Sequence, residues 1–198
     1  MIRLAGLCLL FSPLPLAAED LPALFSVTGV ASDDVLNIRA APDPSSDILG
    51  ALTPDATGIE VISESDGWAS INVEDRSGRV AARYLRPMGH APWYQLQIPL
   101  HCAGTEPFWS LDIDPQAATA SFLTPELSEP QVLALDGFWP GEDWLPSAAV
   151  SFDQGLAVVR PESCSDQMSE RQYGIGVDIF LRGKGGHRLN GCCALSPN

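Results

Sequence analysis

Positive charge is what this chain most lacks. Its 198 residues carry 11 lysines and arginines against 25 aspartates and glutamates, a formal net charge of −14. Only one lysine, Lys184, is present. Nucleic acid is therefore excluded as a partner, because its phosphates demand a basic patch. An electrostatic grip on anionic lipid is excluded for the same reason. Long apolar runs are missing as well: Leu4 to Phe11 is too short to span a bilayer as a helix. Histidine is scarce, and His90, His101 and His187 have no paired spacing that would hold a metal ion. The acidic balance itself supplies solubility and repulsion from other polyanions.

The apolar run near the N-terminus follows Arg3 and is broken by Pro13 and Pro15 ahead of Leu16-Ala17-Ala18. A positive start, an apolar middle and small residues before the cleavage point describe an export signal over 1–18. Glu19 is then the expected first residue of a periplasmic or secreted protein, with no stable membrane insertion after cleavage. Leu7 intervenes before Cys8, so secretion is expected rather than lipid anchoring. The remaining chain has room for one or two small domains. Four cysteines survive, Cys102, Cys164, Cys192 and Cys193. An even count in an exported chain predicts two disulfides, with three connectivities open. Adjacent side chains on a strand face opposite ways, so Cys192 and Cys193 are expected to find separate partners.

Leu36 and Ile38 alternate with Asn37 and Arg39, the period of a half-buried strand. Pro42 and Pro44 end it. Further short strands are expected at Gly29-Val30, 48–52, 58–62, 68–73, 79–80 and 83–87, with turns at Asp33-Asp34, Ser65-Asp66-Gly67 and Glu74 to Gly78. Such spacing describes a small all-β barrel. "L-N-I-R-A-A-P" (36–42), "D-G-W-A-S-I-N-V" (66–73) and "S-G-R-V-A-A-R-Y-L" (77–85) resemble the bacterial SH3-like domain over 21–87. The resemblance implies a module that binds cell-wall peptides or other envelope ligands in a shallow groove between loops. Arg79 stands where many relatives carry an aromatic residue. The ligand-binding candidates here are Asn37, Arg39, Trp68 and Tyr84. An arginine fork suits a peptide carboxylate; the plainer expectation is that Arg39 pairs with an acid such as Asp66 and fixes the loop. Trp68 and Tyr84 are expected at the core or its rim.

A composition break at 88–99 reads as a linker, with His90 exposed, and a second unit fills 100–198. Trp109, Leu111 and Ile113 alternate with polar residues, and Ala118 to Leu123 is the expected hairpin partner. Hairpins are expected at 148–159 and 175–193, the second turning through Gly183-Lys184-Gly185-Gly186. The whole is all-β: an SH3-like small barrel followed by a disulfide-bonded antiparallel barrel or meander. "C-A-G-T-E-P-F-W-S-L" (102–111), "C-S-D-Q-M-S-E-R-Q-Y" (164–173) and "L-N-G-C-C" (189–193) resemble an uncharacterised family of bacterial envelope proteins. Members lacking the first cysteine tend to end in a single "G-C". The resemblance thus implies Cys164–Cys192 and hence Cys102–Cys193.

No catalytic constellation emerges. With the cysteines in bridges no thiol nucleophile remains, no histidine sits in a motif, and Gly183 to Gly186 is a turn rather than a phosphate loop. Glu106, Asp112, Asp166 and Glu170 could supply a carboxylate pair only by converging. No enzyme, cofactor or metal is expected. Trp139 and Trp144, in Phe138 to Trp144, are expected to plug the open end of the second barrel or to form a platform for sugar or peptide. Ser165 and Asp166 are expected to cap a short helix. The function expected is binding of peptidoglycan or an envelope protein. The alternatives are an inhibitor or sensor of a basic enzyme such as lysozyme, and a small-molecule carrier in the second barrel.

Overall fold

A computed structural model of the chain describes residues 20–183 and 186–195. The export signal expected over 1–18 lies outside the described residues, as do Lys184 and Gly185 of the expected turn.

The first module is built from two small antiparallel sheets. β1 (Ala23–Val27) lies between β4 (Ile59–Val61) and β8 (Leu85–Pro87). The second sheet runs in the order β3 (Ile48–Leu52), β2 (Leu36–Arg39), β7 (Arg76–Ala81), β6 (Trp68–Val73), β5 (Ser63–Ser65). Leu36 and Ile38 are buried with Phe25, Val27, Val61, Ile71 and Val80, whereas Asn37 and Arg39 face outward. Period-two alternation thus sets which face of β2 enters the core. Gly29-Val30 is not a strand; the chain has already paired at β1, two residues upstream. β7 starts at Arg76, so only Glu74 and Asp75 form the hairpin turn.

The second module is a closed eight-stranded antiparallel barrel. β9 (Leu100–Thr105), β10 (Phe108–Asp114), β11 (Thr119–Leu123), β12 (Gln131–Trp139), β13 (Ala148–Phe152), β14 (Gly155–Cys164), β15 (Tyr173–Leu181) and β16 (His187–Ala194) follow one another as a meander. Closure comes where β16 pairs with β9, Cys193 opposite Cys102. Cys102–Cys193 bridges this seam from inside the barrel, and Cys164–Cys192 bridges β14 to β16 on the outside. Loops of 91 and 28 residues are thereby closed, stabilising the fold by about 4–5 and about 3–4 kcal/mol through unfolded-state entropy. Two disulfides fit an extracytoplasmic protein. No helix among the described residues is long and apolar enough to cross a membrane.

Leu100, Leu111, Ile113, Val150, Phe152, Ile175 and Ile179 fill the interior. These side chains are packed together in the interior, where a carried ligand would have to sit. The expected linker is also part of the core: Trp93, Tyr94, Leu96 and Ile98 are buried against the barrel strands. Trp93 and Tyr94, and not Trp139 and Trp144, join the buried core of the barrel. A register shift between Leu135 and Gly137 breaks the alternation of β12 and leaves Trp139 opposite outward-facing Ala149. Trp139 and Trp144 are 54% and 77% exposed.

The two modules are joined largely through their main chains. Glu170 N–H donates to the Asp75 carbonyl at 2.8 Å, and Ser77 N–H donates to the Glu170 carbonyl at 3.0 Å. The Asn72 amide closes the next step like a backbone unit, donating to the Gln172 carbonyl at 2.8 Å and accepting its N–H at 3.1 Å. Arg171 Nε donates to the Glu74 carbonyl at 2.5 Å. Segment 165–172 is therefore not the expected helix. Asp166 does accept the N–H groups of Met168 and Ser169, as a cap would, but the chain then pairs with β7 at Glu170. The Tyr94 hydroxyl lies between two carboxylates, 2.7 Å from Asp20 and 3.0 Å from Asp143, which share its one proton.

Asn72→Ala removes both side-chain hydrogen bonds to Gln172. Each is worth about 1 kcal/mol, so the variant is expected to raise amide hydrogen exchange at Glu170 and Gln172 above that of the β10–β11 core, as mass spectrometry would show. Burial, reinforced by the two carboxylates that accept its hydroxyl, raises the Tyr94 phenol well above its ordinary value. Above about pH 10 the unfolded phenol has lost its proton while the folded one keeps it, so the unfolded state binds fewer protons and stability falls as pH rises. Urea denaturation across that range should show the fall, and Tyr94→Phe should remove its share of the slope.

Candidate functional site

The candidate site is a groove of about 410 Å³ on the first module, open to solvent. Asn37, Arg39, Trp68 and Tyr84 all line it. They come from three separate stretches: the outward positions of β2, the first residue of β6, and the 3-10 turn Ala82–Tyr84. Outward alternation brings Asn37 and Arg39 to one wall. The pairing of Trp68 with Ala81 carries β6 and the residues after β7 to the same groove. Trp68 and Tyr84 are both half-buried, so each presents a ring edge or face at the rim.

Arg39 does not pair with Asp66. Its Nη1 donates to the Ser46 carbonyl at 2.7 Å and so holds the loop between β2 and β3. That loop is further tied by Ser46, whose hydroxyl donates to the Ala41 carbonyl at 3.0 Å, and by Asp43. The backbone N–H of Ser45, then its hydroxyl, hold the Asp43 carboxyl below the ordinary carboxylate range, and the nearby Arg39 charge adds to this. Arg79, at the position where an aromatic was the norm, turns away from the groove lining and donates to the Ser70 hydroxyl at 2.5 Å and the Ser77 hydroxyl at 3.2 Å.

Arg83 is a lining residue that sequence reasoning missed. Its guanidinium lies 4.6 Å from the centre of the Tyr84 ring, a cation–π contact. Its adjacency to Tyr84 was visible, but only the 3-10 turn puts both on the groove. The lining thus carries two guanidiniums, Arg39 and Arg83, against one carboxylate, Asp34. In a chain with a net charge of −14, this is a local reversal of sign. Such a groove can hold a carboxylate by charge-assisted hydrogen bonds and an apolar group against its rings.

Residues 34–86 match the family model of the bacterial SH3 domain. The N-terminal module is a bacterial SH3 domain. No curated protein and no solved structure matches the chain. Every residue of the SH3 groove except Gly29 to Ala31 falls within the matched span. Trp139 and Trp144 lie outside it, on the second barrel, and do not join this groove. Trp144 Nε1 instead donates to its neighbour Glu142 at 2.6 Å. Among the described residues no cluster of three or more histidine, cysteine or acidic side chains is placed to hold a metal.

Because Arg39 anchors the loop through one carbonyl, Arg39→Ala should cost about 1 kcal/mol of stability, whereas exposed Arg83→Ala should cost less than half of that. Urea unfolding of the two variants beside the wild type measures the difference.

Proposed function

We propose that this is an exported, non-enzymatic binding protein of the bacterial envelope, and that its SH3 groove takes a carboxylate-bearing peptide of the cell wall. The observation that carries the reading is the reversal of charge in the groove: Arg39 and Arg83 beside Trp68 and Tyr84 on an otherwise acidic chain. Stem peptides of peptidoglycan present carboxylates on a short, partly apolar chain. A guanidinium fork can take such a carboxylate in two hydrogen bonds, and an aromatic ring can cover the adjacent methyl or methylene groups. Asn37 adds an amide that both donates and accepts, which suits a peptide backbone. The match to the bacterial SH3 domain and the two disulfides support the envelope as the compartment.

Co-sedimentation of the oxidised protein with purified peptidoglycan sacculi tests this reading. The wild type is expected to pellet, and Arg83→Ala and Arg39→Ala to lose most of that binding, by about tenfold each. If all three proteins stay in the supernatant at low salt, or pellet equally, the groove does not recognise the wall.

A further inference from the structure

A second, larger groove of about 750 Å³ runs between the two modules. It is not the barrel interior. Its floor is the outer face of β9 to β11 and the outer disulfide partner Cys192; its walls are the loop 124–128, the segment 166–171 and the β6–β7 hairpin turn. All three cysteine-containing stretches of the second half converge there: Thr105 and Phe108, then Asp166, Met168 and Tyr173, then Cys192.

The first of those stretches is shaped from behind. Trp109 points inward, and glycine is needed where its indole lies. A Cβ at Gly104 would run into the indole nitrogen, and one at Gly191 would lie 2.9 Å from indole Cζ2 and collide with the Ala103 carbonyl. With Trp109 seated inside, Phe108 is turned outward and left 55% exposed. Met168 opposite is 66% exposed. It is held there by Asp166, which accepts its N–H at 3.0 Å and the Ser169 hydroxyl at 2.7 Å. Burial works to raise the Asp166 carboxyl, but the Ser169 hydroxyl and the two N–H groups outweigh it and hold it below the ordinary range. The carboxylate is thus charged as well as fixed. Large apolar side chains displayed along a concave surface are uncommon on a soluble protein without an occupant.

The groove has the opposite charge from the SH3 groove. Glu74, Asp75 and Asp166 line it against Arg171 alone. Exposed Glu106 and Glu126 stand close in the chain to Phe108 and Leu127. An anionic amphiphile such as a fatty acid would meet like charge here. An extended polypeptide with alternating apolar and basic side chains would meet complementary charge along the rim and apolar surface on the floor. The groove is also open to solvent, as an incoming chain segment needs, and Met168 can adapt to the side chains it meets.

We propose that this groove binds an extended segment of a partner protein that carries apolar side chains interleaved with lysine or arginine. The site is separate from the SH3 groove and stands on its own geometry. Its electrostatic part weakens with ionic strength, because the acids on the rim are solvent-exposed.

Calorimetric titration of the oxidised full chain with a short amidated peptide alternating lysine and leucine tests the proposal. Binding is expected, weakening with added salt. Phe108→Ser with Met168→Ser, and separately Asp75→Lys, should each weaken it by about tenfold, whereas Met168→Leu should retain it. The three altered side chains are exposed, so the fold is not at stake. The proposal is overturned if the peptide does not bind or if the variants bind as well as the wild type. Equal binding of a control peptide of the same length alternating glutamate and leucine, or of decanoate, would overturn it too. So would sedimentation velocity showing that the protein alone dimerises and that Phe108→Ser with Met168→Ser disperses the dimer, since a second copy would then own the groove.

Discussion

Everything in the second module depends on the closure of one seam. A meander of eight strands has two free edges until its last strand meets its first, and here β16 reaches β9 over only three paired residues. Short pairing leaves few ladder hydrogen bonds to hold the ends together. Cys102–Cys193 crosses the seam at its middle pair and converts it into a covalent closure. Once the ring is closed, the inward positions of all eight strands face one enclosed volume, and the apolar residues of each fill it. The edges that would otherwise invite another chain are gone.

The adjacency of Cys192 and Cys193 couples that closure to the surface. Successive residues on β16 point to opposite sides, so the strand that is sealed inside by Cys193 is tethered outside by Cys192 to Cys164. Cys164 ends β14 and begins the segment that pairs with the SH3 hairpin through Glu170 and Gln172. One strand therefore positions the barrel core, the wall of the larger groove and the docking of the other module. Tyr94 makes a second tie, its hydroxyl lying between the carboxylates of Asp20 and Asp143.

The alternation of Leu36 with Ile38, and of Trp109 with Leu111 and Ile113, was legible because one face of each strand is buried and the other wet. The same alternation put Asn37 and Arg39 on the outer face of β2, where they line a groove with Trp68 and Tyr84. It did not extend to β12, where the shift between Leu135 and Gly137 changes the phase and Trp139, expected in a plugging or platform loop, ends a strand on the outside. It also failed at Trp93 and Tyr94, whose short 3-10 turn has no strand period and whose surroundings look like a linker. Arg83 was hidden for the same reason, since a turn and not a pattern aims it. The larger groove draws on motifs visible in the sequence, but their meeting was not: Glu74 and Arg171 come together only because a hairpin turn of one module docks on a loop of the other.

The joint between the modules is made mostly of peptide groups. Asp75, Ser77 and Glu170 meet there through N–H and carbonyl, and those groups are the same whatever side chain the residue bears. The side chain at 75 is consequently free to drift in sequence without loosening the architecture that displays it, whereas Glu74 sits at a φ of 51°, which restricts what can replace it. Lineages could retune the charge of the larger groove, and with it the choice of partner, by single substitutions at a position that the fold itself does not police. Asn72 is the exception, since its amide stands in for a backbone unit and no aliphatic residue can.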